Sequence, residues 1–278
     1  MILKNKEGKV RLIWHIFMLV APFLLAAYLL RFIPIRIHAG ILVGRGLSES
    51  TALSQARHIF LEDPIGESLV GTLQGLLWYV LVCILIRSIE KRPCDLRSFG
   101  LSRTNNSLLL VALGFLLGFI FYFSYFAIGN LFGQPSFVST PTKLSILPIV
   151  LISLNMLANG FGEETAFRAY WQSLLVDRHG LWFGIILAST SFVLLHLLIA
   201  RFTIIALLAG ILLACVFGIL YVWTDSIFLV GALHATLNLA PRLLGPWPSD
   251  ISLLIVNGLV LVIVLILYLR VVKKLAPE

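Results

Sequence analysis

Long apolar runs separated by short polar segments cover nearly the whole chain, at about 12–33, 66–87, 107–132, 146–161, 181–200, 202–223, 226–244 and 251–270. Crossing a hydrocarbon core of about 30 Å takes roughly 20 apolar residues in a helix. The pattern therefore predicts an all-α, polytopic membrane helical bundle of about eight transmembrane helices. A barrel is excluded because its strands would alternate in polarity at every second residue, and lipid offers no partners for free backbone groups.

The polar segments refine this picture. Pro34 to Pro64 is the longest, with Arg36, Arg45, Arg57, Glu49, Glu62 and Asp63, and is expected to be an ordered or amphipathic extramembrane loop. The segment from Arg87 to Arg103 is the most basic internal loop. Together with Lys4, Lys6, Lys9 and Arg11 at the start and Arg270, Lys273 and Lys274 at the end, it predicts both termini in the cytoplasm, at the cell membrane. The basic start followed by an apolar run resembles a signal peptide. The run is too long for one, however, and no small-residue cleavage site follows, so residues 12–33 are expected to be the first membrane helix.

Composition agrees: 59% of the 278 residues are hydrophobic and 12% are charged, about half the charge of an ordinary soluble domain. The net charge of +8 sits beside the apolar runs, where it meets anionic headgroups rather than nucleic acid. Cys83, Cys94 and Cys215 are scattered and lack C-x-x-C spacing, so neither a disulfide framework nor a thiolate zinc site is indicated. No repeat or soluble second domain interrupts the chain, which is expected to form one integral membrane domain over 1–278. The small-residue spacings Gly71/Gly75, Gly114/Gly118 and Gly210/Ala214/Gly218 mark close helix approach.

Chemistry concentrates in the C-terminal half. In NGFGEETAFRAYWQSLL, Glu164 and Arg168 are four residues apart, so on a helix they share a face and can pair, while Glu163 projects about 100° away. Such residues are merely solvated in a juxtamembrane loop. Within the bilayer each ionisable group costs roughly 2.5–3.5 kcal/mol at mid-depth, which makes it a functional hypothesis. His196 follows Phe192 by one helical turn, and His234 and Asn238 stack on one face of LVGALHATLNL. Taken singly, these read as hydrogen-bonded interior groups or interhelical glue.

Taken together they form a reaction set. A carboxylate or imidazole can activate water, and a second imidazole with a carboxamide can donate to an oxyanion. Alternatively, two histidines and a carboxylate, with Glu163, His196 and His234 as candidates, could hold a divalent metal such as Zn2+. No H-E-x-x-H or G-x-S-x-G occurs. GFGE at 160–163 lacks the second buried Asp an aspartyl protease needs, Asp225 being at a span edge. A non-catalytic membrane scaffold and a transporter using these groups as a proton relay are the other readings. Against the transporter, the polar groups sit in one half only.

Three motifs in order carry a family resemblance: E-E-x-x-x-R at Glu163–Arg168, F-x-x-x-H at Phe192–His196 and H-x-x-x-N at His234–Asn238. Over about 145–245 the chain resembles the CPBP family, the CAAX-protease and bacteriocin-processing membrane proteins that include the type II CAAX prenyl endopeptidases. The resemblance implies an eight-helix bundle with a recessed intramembrane endopeptidase site. In it Glu163 and His196 activate water, His234 and Asn238 stabilise the oxyanion, and Arg168 braces Glu164. The implied partner is a membrane-associated peptide or protein, of prenylated CAAX or bacteriocin type. The family has also been described as metalloproteases. Two departures, Ala169 after the arginine and Thr165-Ala166 in place of a bulky apolar pair, are expected to reshape the substrate groove. Span counting places Glu163 near the end of the fourth run and His196 late in the fifth. For them to meet, residues 164–178 must be a partly embedded helix, or the fifth span must begin outside the membrane.

Overall fold

The computed structural model describes residues 11–101, 106–133, 145–198, 201–245 and 249–275. Lys4, Lys6, Lys9 and Arg103, and the side chains of Lys273 and Lys274, lie outside the described residues. Among the described residues ten α-helices occur in the order α1 (Leu12–Gly44), α2 (Glu49–Arg57), α3 (Pro64–Leu85), α4 (Ser107–Leu131), α5 (Ile146–Glu164), α6 (Ser173–His179), α7 (Leu181–His196), α8 (Ile204–Thr224), α9 (Ile227–Leu243) and α10 (Asp250–Leu275). No strand occurs among the described residues.

All eight expected runs are helices, but among the described residues only six spans are both long and apolar enough to cross a membrane. The other two, α7 with 16 residues and α9 with 17, fall short of that length. In α9 the reason is visible in its burial: Ile227 and every residue from Leu229 to Leu237 are buried, so this helix is enclosed by protein and need not match the lipid.

The expected loop at 34–64 is largely helical. α1 passes through Pro34 and runs on to Gly44, because Ile35, Ala39 and Leu42 continue an apolar face that α2 covers with Ala52 and Ala56. Ser48 caps α2 by accepting from the Thr51 N–H, and Asp63 caps α3 by accepting from the Ile65 and Gly66 N–H groups.

The described residues group into two compact units, one from Met1–Cys94 with Thr142–Gly162, the other from Asp95–Pro141 with Glu163–Glu278. In the first, α1, α3 and the body of α5 pack through the stacked rings of Phe23 and Trp78 and the Gln74 side chain, which donates to the Ala27 carbonyl at 3.1 Å. Gly71 and Gly75 leave room for Asn155 and Ala158 of α5, and Asn159 Nδ2 donates to the Gly71 carbonyl at 3.0 Å.

In the second unit α4 runs parallel to α9, Gly114 facing Leu229 and Ala232 and Gly118 facing Thr236. A Cβ at either glycine would collide with α9. α8 and α10 are also parallel, joined by Thr203 to Asp250 at one end and by the Trp223 and Tyr268 rings at the other. α7 is antiparallel to α8, with Val193 beside Gly210 and Ile185 beside Gly218. The C-terminal ends of α7 and α9 therefore lie where α8 and α10 begin, and this brings His196 and Asn238 to the same end of the unit.

Residues 95–101 close the opposite end. Asp95 accepts from the Ser98 N–H at 2.9 Å and from its hydroxyl at 2.8 Å. Gly100 (φ +67°) then directs its carbonyl to the Ile227 N–H at 3.0 Å, at the start of α9.

Candidate active site

Glu163 and Glu164 are the last two residues of α5, and a π-helical stretch, Thr165–Gln172, continues directly into α6. π-Helical turns concentrate at functional positions because they re-aim side chains within a continuous helix. The resulting helical run, Ile146–His179, is 34 residues long and places Glu163 near its middle. Residues 164–178 are thus helical, as bringing the motifs together required. The stretch packs along α7, with the Phe167 and Phe192 ring centroids 5.0 Å apart and Trp171 Nε1 donating to Ser191 Oγ at 2.9 Å.

Three of the expected residues form a buried relay. His234 Nδ1 lies 2.9 Å from Glu164 Oε1, and Arg168 Nε lies 3.0 Å from Glu164 Oε2. The Glu164 and Arg168 side chains are 0% exposed. The Arg168–Glu164 distance is that of an ion pair, but the two atoms are not aligned for a hydrogen bond, and Nη1 and Nη2 of Arg168 have no hydrogen-bond partner among the described residues. Phe192 contributes a ring whose centroid is 5.4 Å from Arg168 Cζ.

Glu163 is the more accessible carboxylate, with its side chain 18% exposed and its Oε2 3.6 Å from His234 Nε2. That separation is slightly too long for a direct hydrogen bond, and Glu163 Oε2 has no hydrogen-bond partner among the described residues. One braced and one free carboxylate flank His234.

His196 Nδ1 is 2.9 Å from the Phe192 carbonyl oxygen. A carbonyl only accepts, so Nδ1 carries the hydrogen and Nε2 of the neutral ring holds a lone pair. Phe192 lies between the two histidines, its ring centroid 4.7 Å from that of His196 and 5.8 Å from that of His234. His196, His234 and Asn238 all line one cavity of about 310 Å³, whose remaining wall is mostly apolar, including Phe192, Leu213, Phe217 and Leu253. This is the size range of ligand sites, with a few polar groups set in an apolar wall.

Sequence reasoning passed over several groups here. Tyr125 donates to Asn257 Oδ1 at 2.7 Å, and Asn257 Nδ2 donates to the Ala209 carbonyl at 3.0 Å, forming a satisfied polar pair in the cavity wall. An asparagine inside an apolar run, as at 257, was the available signal. Gln172 and Ser189 are fully buried beside the relay, and Gln172 Nε2 donates to the Gly218 carbonyl at 3.0 Å.

Among the described residues no three His, Cys, Asp or Glu side chains are gathered to hold a metal ion. The Nδ1 atoms of His234 and His196 face Glu164 and the Phe192 carbonyl, which leaves their Nε2 atoms for any further partner.

Residues 145–240 match the family model described as Type II CAAX prenyl endopeptidase Rce1-like. Over this segment the chain is similar to the CPBP family, and the match supports membership of it. No curated protein and no solved structure matches the chain. The matched segment contains all three motifs and ends two residues after Asn238. The match supports, as a general class, a CAAX-type intramembrane endopeptidase. With six membrane-length apolar helices, the chain is an integral, multi-pass membrane protein.

Proposed function

We propose that this CPBP protein hydrolyses a peptide bond of a membrane-associated substrate, of prenylated CAAX or bacteriocin-like type, with a water activated by Glu163 and His196. The observation that carries the reading is the convergence of both glutamates on His234, which is 70 positions from Glu164 in sequence.

Each residue then has a role set by its partners. Glu163, not committed to a close partner, takes a proton from water as the oxygen attacks the carbonyl carbon. The same proton goes to the departing amine nitrogen when the tetrahedral intermediate collapses, which restores the carboxylate. His196, with its Nε2 lone pair, accepts a hydrogen bond from that water and orients it. Asn238 Nδ2 donates to the oxyanion. His234 donates alongside it from Nε2 in the doubly protonated form, since its Nδ1 hydrogen is committed to Glu164. Such donors stabilise charge that develops only in the transition state. Arg168 braces Glu164 and touches no reacting atom. No step passes through a metal.

We also place both termini at the cytoplasmic face of the cell membrane. The basic loop Arg87, Lys91, Arg92, Arg97 and the basic ends support this.

The test is cleavage of quenched prenylated and unprenylated peptides by purified protein in detergent, with and without chelator and with products identified by mass. Cleavage by wild type that is lost in Glu163→Ala and His196→Ala supports the reading, and the preferred peptide defines the substrate class. Cleavage retained in both variants, or no cleavage at all, removes it.

A further inference from the structure

The cavity beside the histidines carries a charge that the proposed reaction does not use. Among the described residues that line it there is no Lys or Arg and a single carboxylate, Asp250, at the start of α10. Asp250 lies beyond the matched segment, which ends at 240, so it is a feature of this chain rather than of the shared motifs.

Asp250 stands in the first turn of α10, where its charge suits the helix dipole, but it is not the helix's cap. Ser249 already caps α10, its Oγ accepting from the Ser252 N–H at 3.2 Å. Asp250 Oδ2 accepts from the Thr203 hydroxyl, which in turn caps α8 by accepting from the Ala206 N–H at 3.0 Å. This fixes the side chain against α8 and leaves Oδ1 for another donor. The other polar pair of the wall, Tyr125 and Asn257, is satisfied internally. Away from the histidines and Asn238, Asp250 is therefore the one charged acceptor the cavity offers. A carboxylate in an otherwise apolar groove selects a group that brings both a cation and hydrogen-bond donors, because burying it against an apolar or acidic group leaves it uncompensated.

We propose that Asp250 is a specificity-determining residue that receives a basic side chain, lysine or arginine, of a peptide substrate whose neighbouring residues are apolar and fill the groove. The proposal rests on the peptidase reading and names its substrate class. The ammonium or guanidinium donates to Oδ1 while the aliphatic stem lies along Phe202, Ala206 and Leu253, which line the same cavity.

The experiment uses the full-length protein in detergent and a set of apolar quenched peptides. One position at a time on either side of the cleaved bond is Lys, Arg, norleucine or Glu. At one position Lys and Arg peptides are expected to show kcat/KM at least tenfold above norleucine, with Glu lowest. In Asp250→Asn, which keeps an acceptor for Thr203, that ratio is expected to fall to about one, and Asp250→Lys is expected to favour Glu. The wild-type series is informative even if a variant fails to fold. Cleavage indifferent to charge at every position, or a preference that survives Asp250→Asn, overturns the inference and leaves the peptidase reading standing. Absence of cleavage of every peptide overturns both.

Discussion

Glu164 and His234 are joined at 2.9 Å in the interior of the molecule, with Arg168 on the far oxygen of the same carboxylate. A fully buried ion pair broken from one side leaves an uncompensated charge and costs about 3–5 kcal/mol. Glu164→Ala is therefore expected to lower unfolding free energy in detergent by about that amount. The double variant Glu164→Leu with Arg168→Met should recover much of the loss while remaining inactive. Denaturant unfolding of wild type and the two variants checks this. Equal losses for single and double variants would show that Arg168 does not depend on Glu164.

The site depends on α9 being pressed against α4. At Gly118 an added Cβ would run into Thr236, and at Gly114 into Ala232 and the Leu229 carbonyl. Gly118→Val is expected to destabilise by about 1–3 kcal/mol, the usual cost of overpacking, and to lower activity by displacing His234. Gly210→Ala is the contrast, since its Cβ would sit 3.4 Å from Val193 Cγ1, an ordinary contact. Thermal melts paired with activity assays compare the two.

The tautomer of His196 is also testable. The Phe192 carbonyl at 2.9 Å accepts from Nδ1, so the neutral ring should show a protonated Nδ1 and a bare Nε2 in nitrogen-15 NMR of histidine-labelled protein. The opposite tautomer would remove the lone pair from the position where the reaction uses it.

Much of this arrangement was legible in the sequence because its signals are local. Helical spacing alone places Glu164 with Arg168 and His234 with Asn238, and the apolar runs give the helices to within a few residues. The misread parts depend on partners distant in sequence. The helix through Pro34 exists because α2 supplies Ala52 and Ala56 to cover Ile35 and Ala39. The shortness of α9 goes with its enclosure by protein. The π-helical stretch Thr165–Gln172 has no marker in the sequence. Asp250 carries no distinguishing signal in the sequence; it stands out only where α8 and α10 meet beside the histidines.

Outside the membrane spans, the Asp95 turn carries a pH dependence. The Ser98 N–H and hydroxyl hold the Asp95 carboxyl below the usual carboxylate range, chiefly through the backbone bond. A lowered folded-state value means that the turn's contribution is present above the unfolded carboxylate pKa and is lost as pH falls through the folded one. Carbon-13 NMR titration of labelled Asp95 should show a low midpoint that Ser98→Ala raises. An unchanged midpoint in that variant would remove the hydroxyl as a contributor.

The central claim is that Glu163 is the base, and the most direct measurement compares single-turnover peptide cleavage by wild type and Glu163→Gln, with thermal melts of both in the same detergent. A fall of about 10²–10⁴ in the cleavage rate is expected with the melt essentially unchanged, because Glu163 Oε2, 3.6 Å from His234 Nε2, has no hydrogen-bond partner among the described residues. Cleavage by Glu163→Gln at the wild-type rate would contradict that claim.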